Sequence, residues 1–269
     1  MSRTEKRNPR TTNFSKESTV TMLQIINDEN MNSVRAVGDA IEDIAKAVDA
    51  VTEAFLNGGR LIYVGAGTSG RMAVMDAAEC PPTFGVDHNT VITVMAGGRD
   101  AMFKAAEGEE DSAEMGKADL LEKNPTSRDV VMGISASGNA EYVASAMRTA
   151  KEIGCVTVSL SSNDDCKIGQ IADIPIFVNT GAEVISGSTR MKAGNSQKFV
   201  MNMISTCAMA KTGKVYENLM INLKPSNKKL ARRMVGIVRD ILKCDEQKAE
   251  KLLEKYNWSI RAVVDGEEK

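Results

Sequence analysis

Five short apolar, β-branched runs recur along the chain with helical patterns between them: Leu61–Val64, Val91–Met95, Val130–Ile134, Cys155–Leu160 and Ile174–Val178. Runs that are apolar throughout, rather than alternating, are buried on both faces, and strands separated by helices pair in parallel. The chain therefore reads as α/β, a three-layer α/β/α sandwich around a mainly parallel five-stranded sheet. Ligands of such sheets sit outside the carboxyl ends of the strands. The turns that follow the strands are where function is to be sought.

The first of these turns is the richest. Gly65-Ala66-Gly67-Thr68-Ser69-Gly70 follows Leu61–Val64 without a spacer and leads into a helical pattern from Met72 to Ala78. Glycines there let backbone N–H groups approach an anion at a helix N-terminus, where the macrodipole favours negative charge. Phosphate is the first ligand to consider. Gly65, Gly67 and Gly70 also satisfy the dinucleotide motif G-x-G-x-x-G. That motif wants an acidic residue at the end of the next strand, but Val91–Met95 runs into Ala96-Gly97-Gly98-Arg99, and Asp87 lies before the strand. The hydroxyls of Thr68 and Ser69 suit a compact phosphate ester better than a pyrophosphate over bare backbone.

Two further hydroxyl and glycine turns occur, Ser135-Ala136-Ser137-Gly138-Asn139 after the third strand and Ser186-Gly187-Ser188-Thr189-Arg190 beyond the last. Ser135 and Ser137 suit phosphate contact or capping of the helix that follows, and both readings stand at this point.

Residues 1–18 are polar and mixed in charge, which reads as a flexible arm, neither a signal peptide nor a membrane anchor. A short helix is expected from Val20 to Ile26 and a second from about Met31 to Leu56. In the second, Ile41, Ile44, Val48, Val51 and Phe55 form one stripe opposite Glu42, Asp43, Lys46, Asp49 and Glu53, with Gly58-Gly59 ending it. Such a stripe packs on the parent sheet or pairs with a second subunit. Phe199–Ala210 is interrupted by Asn202, Ser205 and Thr206 and is shorter than the ~20 residues a spanning helix needs, so it reads as a buried helix.

Pro225-Ser226-Asn227 marks the clearest boundary, giving a sheet domain over 19–224 and a small helical domain over 225–269. Asp245-Glu246-Gln247 reads as a helix start, and Lys228, Lys229, Arg232, Arg233 and Arg239 as a solvated basic face. A net charge of −2 gives no general pull toward nucleic acid or anionic membrane. Five cysteines without a C-x-x-C pair and a single histidine leave little for a transition metal and suit a reducing cytoplasm.

With these residues in view, the chain resembles the N-acetylmuramic acid 6-phosphate etherase family, a branch of the sugar isomerase (SIS) domain proteins. The blocks that carry the resemblance are Ile25–Asn30, Gly58–Met72, Asp76–Val86, Ala105–Ser112, Gly133–Val143 and Glu183–Lys198. Relative to bacterial members, the tail after Asn227 is short by about one helical hairpin. The resemblance implies cleavage of the D-lactyl ether of a sugar phosphate by a cytoplasmic homodimer that needs no metal or organic cofactor. It further implies two working glutamates, here Glu79 and Glu110; the turns themselves offer Gly67, Thr68, Ser69, Ser135 and Ser137 for phosphate binding.

The chemistry accounts for two carboxyl groups. An ether resists simple hydrolysis, but opening C1 to an aldehyde makes the C2 proton acidic and leaves the C3 ether oxygen β to the resulting carbanion. Elimination followed by water addition then needs a base at C2 and an acid at the departing oxygen. The resemblance assigns Glu79 as acid and Glu110 as base. Taken alone, Glu107, Glu109 and Glu110 read as N-terminal charges of the next helix, and nothing in the residue pattern selects Glu110 over Glu109. Glu79, near a helix C-terminus, is poorly placed for a helix-stabilising role. A sugar-phosphate-sensing regulator would keep the phosphate turns without needing the glutamate pair, so the presence of both favours an enzyme. A DNA-reading regulator would need a basic recognition helix, which the N-terminal helices do not offer.

Overall fold

The computed structural model describes residues 3–104, 108–225 and 227–267. In chain order these form α1 (Thr19–Asp39), α2 (Ile41–Leu56), β1 (Leu61–Gly65), α3 (Gly67–Phe84), β2 (Val91–Met95) and α4 (Ala113–Glu122). Then come β3 (Val130–Ile134), α5 (Glu141–Ile153), β4 (Val156–Ser161), α6 (Lys167–Ile171), β5 (Ile174–Phe177) and α7 (Lys192–Lys211). A hairpin of β6 (Val215–Tyr216) and β7 (Leu219–Met220) leads to α8 (Lys228–Leu242), α9 (Glu246–Lys255) and α10 (Ile260–Glu267).

The sheet is five-stranded and parallel, in the order β2-β1-β3-β4-β5. Alternate residues of each strand face opposite layers. Leu61, Tyr63 and Met132 pack under α2, α3 and α7, while Ile62, Val64 and Val131 pack under α4, α5 and α6. From β1 the chain moves outward to β2, then returns to place β3 on the other side of β1. The strand order therefore reverses at the β1/β3 pair, the position where open α/β sheets leave a crevice at their carboxyl ends.

The first helix runs without a break from Thr19 to Asp39, capped by Ser18, and turns at Ala40 rather than between Ile26 and Met31. Asn27-Asp28-Glu29-Asn30, between the two expected helices, is helical, and Glu29 within it is buried and ion-paired. The N-terminal arm is docked rather than loose. Asn8 donates to Ala182 O at 3.2 Å, Thr11 Oγ1 donates to Val184 O at 2.9 Å, and the side chains of Thr4, Asn8 and Thr11 are buried.

The tail has an apolar core of its own, in which Ile221, Leu223, Met234, Val238, Leu253, Ile260 and Val263 are buried together. Tyr216, Leu219 and Met220 pack onto it, so the unit begins at the hairpin and not at Pro225; Ser226 lies outside the described residues. The hairpin had no sequence signal, because each strand is two residues long. Asp245 caps α9 by accepting from Lys248 N at 2.8 Å. Gly85 ends α3 with φ +66, and a Cβ there would lie 2.0 Å from Asn222 O of the tail. Gly85→Ala is expected to destabilise by more than ~1 kcal/mol, since both the left-handed conformation and a rigid backbone contact oppose a side chain. Chemical denaturation checks this, and an unchanged midpoint would refute it.

Candidate active site

The first glycine turn is built by close packing of strand against helix. A Cβ on Gly65 would lie 2.8 Å from Gly70 N, and one on Gly70 would lie 2.9 Å from Gly65 O, so both positions exclude a side chain. With that clearance α3 starts one residue after β1. Its first intrahelical bond is Gly70 N to Ala66 O at 3.2 Å, which leaves the N–H groups of Gly67, Thr68 and Ser69 ahead of the hydrogen-bond ladder. Gly67 is exposed with φ +52, Thr68 is half-buried and Ser69 is buried.

The second turn closes on itself. Ser135 Oγ accepts from Gly138 N at 3.1 Å, and Ser137 Oγ accepts from Asn139 N at 3.2 Å. Asn163 Nδ2 braces the turn by donating to Ala136 O at 3.1 Å and Ser137 O at 3.3 Å. The two serines therefore shape the loop and do not cap α5, whose N-cap residue is Ala140 and carries no side-chain capping bond. The two hydroxyls also lie 3.4 Å apart and share a hydrogen bond, so one of them keeps its proton to donate elsewhere. Gly65 pairs with Ile134 in the sheet, so the turns bearing Gly67, Thr68, Ser69, Ser135 and Ser137 flank the reversal crevice from its two sides.

The glutamates are placed differently. Glu79 lies twelve residues along α3 from Gly67, about 18 Å at 1.5 Å per residue, farther than one hexose phosphate reaches. Its helix belongs to the layer of α2 and α7. Glu110 lies in a short 3-10 turn, Glu109–Asp111, which packs against α5 in the opposite layer. Both carboxyl groups are exposed, and neither makes a hydrogen bond or ion pair among the described residues. The two glycine turns thus flank one crevice, while Glu79 and Glu110 sit on elements of opposite layers. Glu107 and the start of the Ala105–Ser112 block lie outside the described residues.

Below Glu79 on the same helix, Asp76 is buried, a feature that its place in a run of polar and small residues did not reveal. Its Oδ2 accepts from Tyr63 Oη at 2.9 Å and its Oδ1 from Asn202 Nδ2 at 2.6 Å, with Lys198 Nζ 3.4 Å from Oδ1. Burial, followed by the charge of Asp76, holds the Tyr63 hydroxyl far above its ordinary range and pushes the Cys80 thiol up to about 12. Both groups are therefore neutral at physiological pH.

From the sequence, Lys192 or Arg190 suits either contact with a charged substrate or a place on the surface, and for Lys192 the structure shows neither. Its side chain is 1% exposed, its Nζ lies 2.5 Å from Glu29 Oε2, and it also donates to Ala182 O at 2.6 Å. Arg10 reaches the other oxygen of Glu29 at 2.5 Å. Although burial opposes ionisation, hydrogen bonds from Arg10 and Lys192 win and hold the Glu29 carboxyl down at about 2. Glu183 accepts from the backbone of Lys192 at 3.1 Å and of Ala193 at 2.9 Å, so the N-terminus of α7 is already capped, and burial raises the Glu183 carboxyl. Arg190 is exposed. The third glycine turn meets the arm, with Ser186 Oγ donating to Glu5 O at 3.1 Å and Gly187 N to Thr4 O at 3.3 Å.

Among the described residues no group of three or more His, Cys, Asp or Glu side chains is arranged to hold a metal ion, and no helix is long and apolar enough to cross a membrane.

Comparison with known proteins follows the same lines. Residues 43–151 match the model of the glucokinase regulatory protein N-terminal SIS domain. An N-acetylmuramic acid 6-phosphate etherase of Clostridioides difficile (strain 630) is 46% identical over 97% of this chain and 86% of its own length. Those of Pasteurella multocida (strain Pm70) and Clostridium botulinum (strain Okra / Type B1) are 45% and 48% identical, each over 97% of this chain, and 87% and 86% of their own lengths are covered. Among solved structures, a phosphoheptose isomerase from Francisella tularensis aligns with a TM-score of 0.56 at 15% identity, over 72% of this chain and 100% of that one. A putative phosphosugar isomerase from Bacteroides fragilis aligns at 0.55 and 19%, over 73% and 94%. At such identities the structural likeness speaks to the fold alone.

Proposed function

Because the chain belongs to the N-acetylmuramic acid 6-phosphate etherase family, we propose that it is a cytoplasmic carbon–oxygen lyase of amino sugar recycling. It converts N-acetylmuramic acid 6-phosphate to N-acetylglucosamine 6-phosphate and D-lactate. The observation that carries this reading is near-half identity to named etherases over 97% of the chain, with both glutamates and both phosphate turns in place.

Phosphate sits at the β1/β3 crevice, held by the N–H groups at the start of α3 and by Thr68, Ser69, Ser135 and Ser137. In the open-chain aldehyde the C2 proton is removed by Glu110, and Glu79 protonates the lactyl oxygen as the C3–O bond breaks. Water adds back at C3 and a proton returns to C2. No metal or organic cofactor enters these steps. The separation of Glu79 from the phosphate turns along α3 supports a site completed by two subunits, in which Glu79 of one copy works on sugar anchored by the other. Exposed Val20, Leu23 and Val34 on α1, and Phe199 and Met203 on α7, offer apolar surface for such a homodimer. Sedimentation is expected to show a dimer at working concentration; an active monomer would refute the shared site.

The reaction is tested by turnover in D₂O containing ¹⁸O-water. Elimination and rehydration place deuterium at C2 and heavy oxygen at C3 of the sugar. Heavy oxygen in lactate would instead mean displacement at the lactyl carbon and overturn both glutamate roles. Phosphate anchoring is tested separately, by calorimetry with N-acetylglucosamine 6-phosphate and the unphosphorylated sugar. The phosphorylated sugar is expected to bind at least tenfold more tightly, and equal affinity would remove the phosphate role from the two turns.

A further inference from the structure

The N-terminal arm reaches the second glycine turn through one buried side chain. Arg3 N donates to Asn163 Oδ1 at 2.7 Å, although the two residues lie 160 positions apart. Asn163 follows β4, is 6% exposed, and passes the contact on, its Nδ2 donating to Ala136 O at 3.1 Å and to Ser137 O at 3.3 Å. A single amide orientation satisfies all three bonds, with the oxygen toward the N–H and the nitrogen toward the two carbonyls. The Arg3 N–H therefore selects which end of the side chain meets the turn. We propose that Asn163 is a positioning residue for phosphate binding and that the arm sets it: held by Arg3, its amide fixes the backbone that carries the Ser135 and Ser137 hydroxyls. This rests on the phosphate role given to that turn above.

The other contacts of the turn leave this brace a distinct task. Ser162 N already holds Ala136 O at 3.0 Å. Ser137 O is met by two side chains, Asn163 and the exposed Asn139, whose Nδ2 donates at 3.2 Å. Water competes with the exposed bond far more than with the buried one. The Arg3 guanidinium meets Asp164 at 2.6 Å, but with 42% and 54% of these side chains exposed the pair adds little, so the weight falls on the backbone N–H. Farther along, Asn8 and Thr11 tie the arm to Ala182 and Val184, so a change at Arg3 leaves the arm docked.

Calorimetry with N-acetylglucosamine 6-phosphate and with the unphosphorylated sugar reads the brace. Arg3→Pro removes the donating N–H at a place that accepts proline, because Arg3 opens a short 3-10 turn. Arg3→Ala removes the guanidinium and keeps the N–H. Arg3→Pro is expected to weaken binding of the phosphorylated sugar about threefold more than Arg3→Ala does, and Asn163→Ala to weaken it about tenfold, the scale of one or two hydrogen bonds. Affinity for the unphosphorylated sugar holds in each. In turnover, Asn163→Ala raises KM more than it lowers kcat. Adding Arg3→Pro to Asn163→Ala causes no further loss, because both act through one amide. Arg3→Pro lies outside the sheet core and keeps the test decisive where Asn163→Ala fails to fold. Equal affinities in Arg3→Pro and Arg3→Ala, additive losses in the double variant, or a loss shared equally by both sugars overturns the proposal. Wild-type protein that binds the two sugars alike overturns the phosphate reading instead, so the two failures are distinguishable.

Discussion

Glutamine at position 79 is expected to lower turnover of N-acetylmuramic acid 6-phosphate by ~10²–10⁴-fold, the range a positioned acid or base contributes. Glutamine keeps the shape and removes the titrating proton. Since Glu79 is exposed and makes no hydrogen bond or ion pair among the described residues, the substitution should change stability by no more than ~0.5 kcal/mol. Product affinity should hold, because the phosphate turns are remote along α3. The discriminating measurement is C2 exchange in D₂O. If Glu79 protonates the leaving oxygen and Glu110 takes the C2 proton, Glu79→Gln spares exchange more than ether cleavage, whereas Glu110→Gln abolishes exchange. Loss of both in Glu79→Gln, with exchange intact in Glu110→Gln, would give Glu79 both proton transfers.

Lys192→Met is expected to cost about 3–5 kcal/mol of stability without touching substrate groups directly. Removing one partner of a buried pair strands the other charge, and here Glu29 keeps only Arg10, itself 65% exposed. The loss also reaches Ala182 O, which takes a hydrogen bond from the same ammonium. The same pair sets an acid dependence. Glu29 titrates at about 2 in the folded protein against an ordinary 4.5. A depressed carboxylate stabilises the fold above its unfolded value, and that contribution, about 3 kcal/mol, is lost as pH falls from about 4.5 toward 2. Denaturation of wild type and variant across this window should converge at the acid end. A constant difference between them would show that Glu29 does not carry the effect.

The central sheet was legible because its strands are buried on both faces, so hydrophobicity alone outlines them. Val91–Met95 and Val130–Ile134 come out with the expected ends, and the remaining three differ by a residue at one end or both. The glycine turn after β1 was legible because glycine at positions 65 and 70 answers a local steric demand. What escaped were polar residues whose partners lie far along the chain. Glu29 meets Lys192 across 163 positions, and Asp76 meets Asn202 across 126. Neither has a local pattern that separates a buried carboxylate from a solvated one. The docking of the arm escaped for the same reason, since Asn8 and Thr11 are satisfied by the carbonyls of Ala182 and Val184, far along the chain. Glu110 was chosen through resemblance, and its surroundings in the fold do not separate it from Glu109.

The independent apolar core of the tail makes the molecule thermodynamically divisible. Its three helices and hairpin bury Met234, Val238, Leu253, Ile260 and Val263 against one another rather than against the sheet, so the two parts need not melt together. Native-state hydrogen exchange should separate the amides of α8–α10 from those of β1 and β3 into two opening free energies, and a single melting temperature would describe neither. A lineage could then lengthen, shorten or exchange the tail while the sheet continued to fold, provided the junction is kept, where Gly85 meets the carbonyl of Asn222 and Val215 packs on the sheet's core.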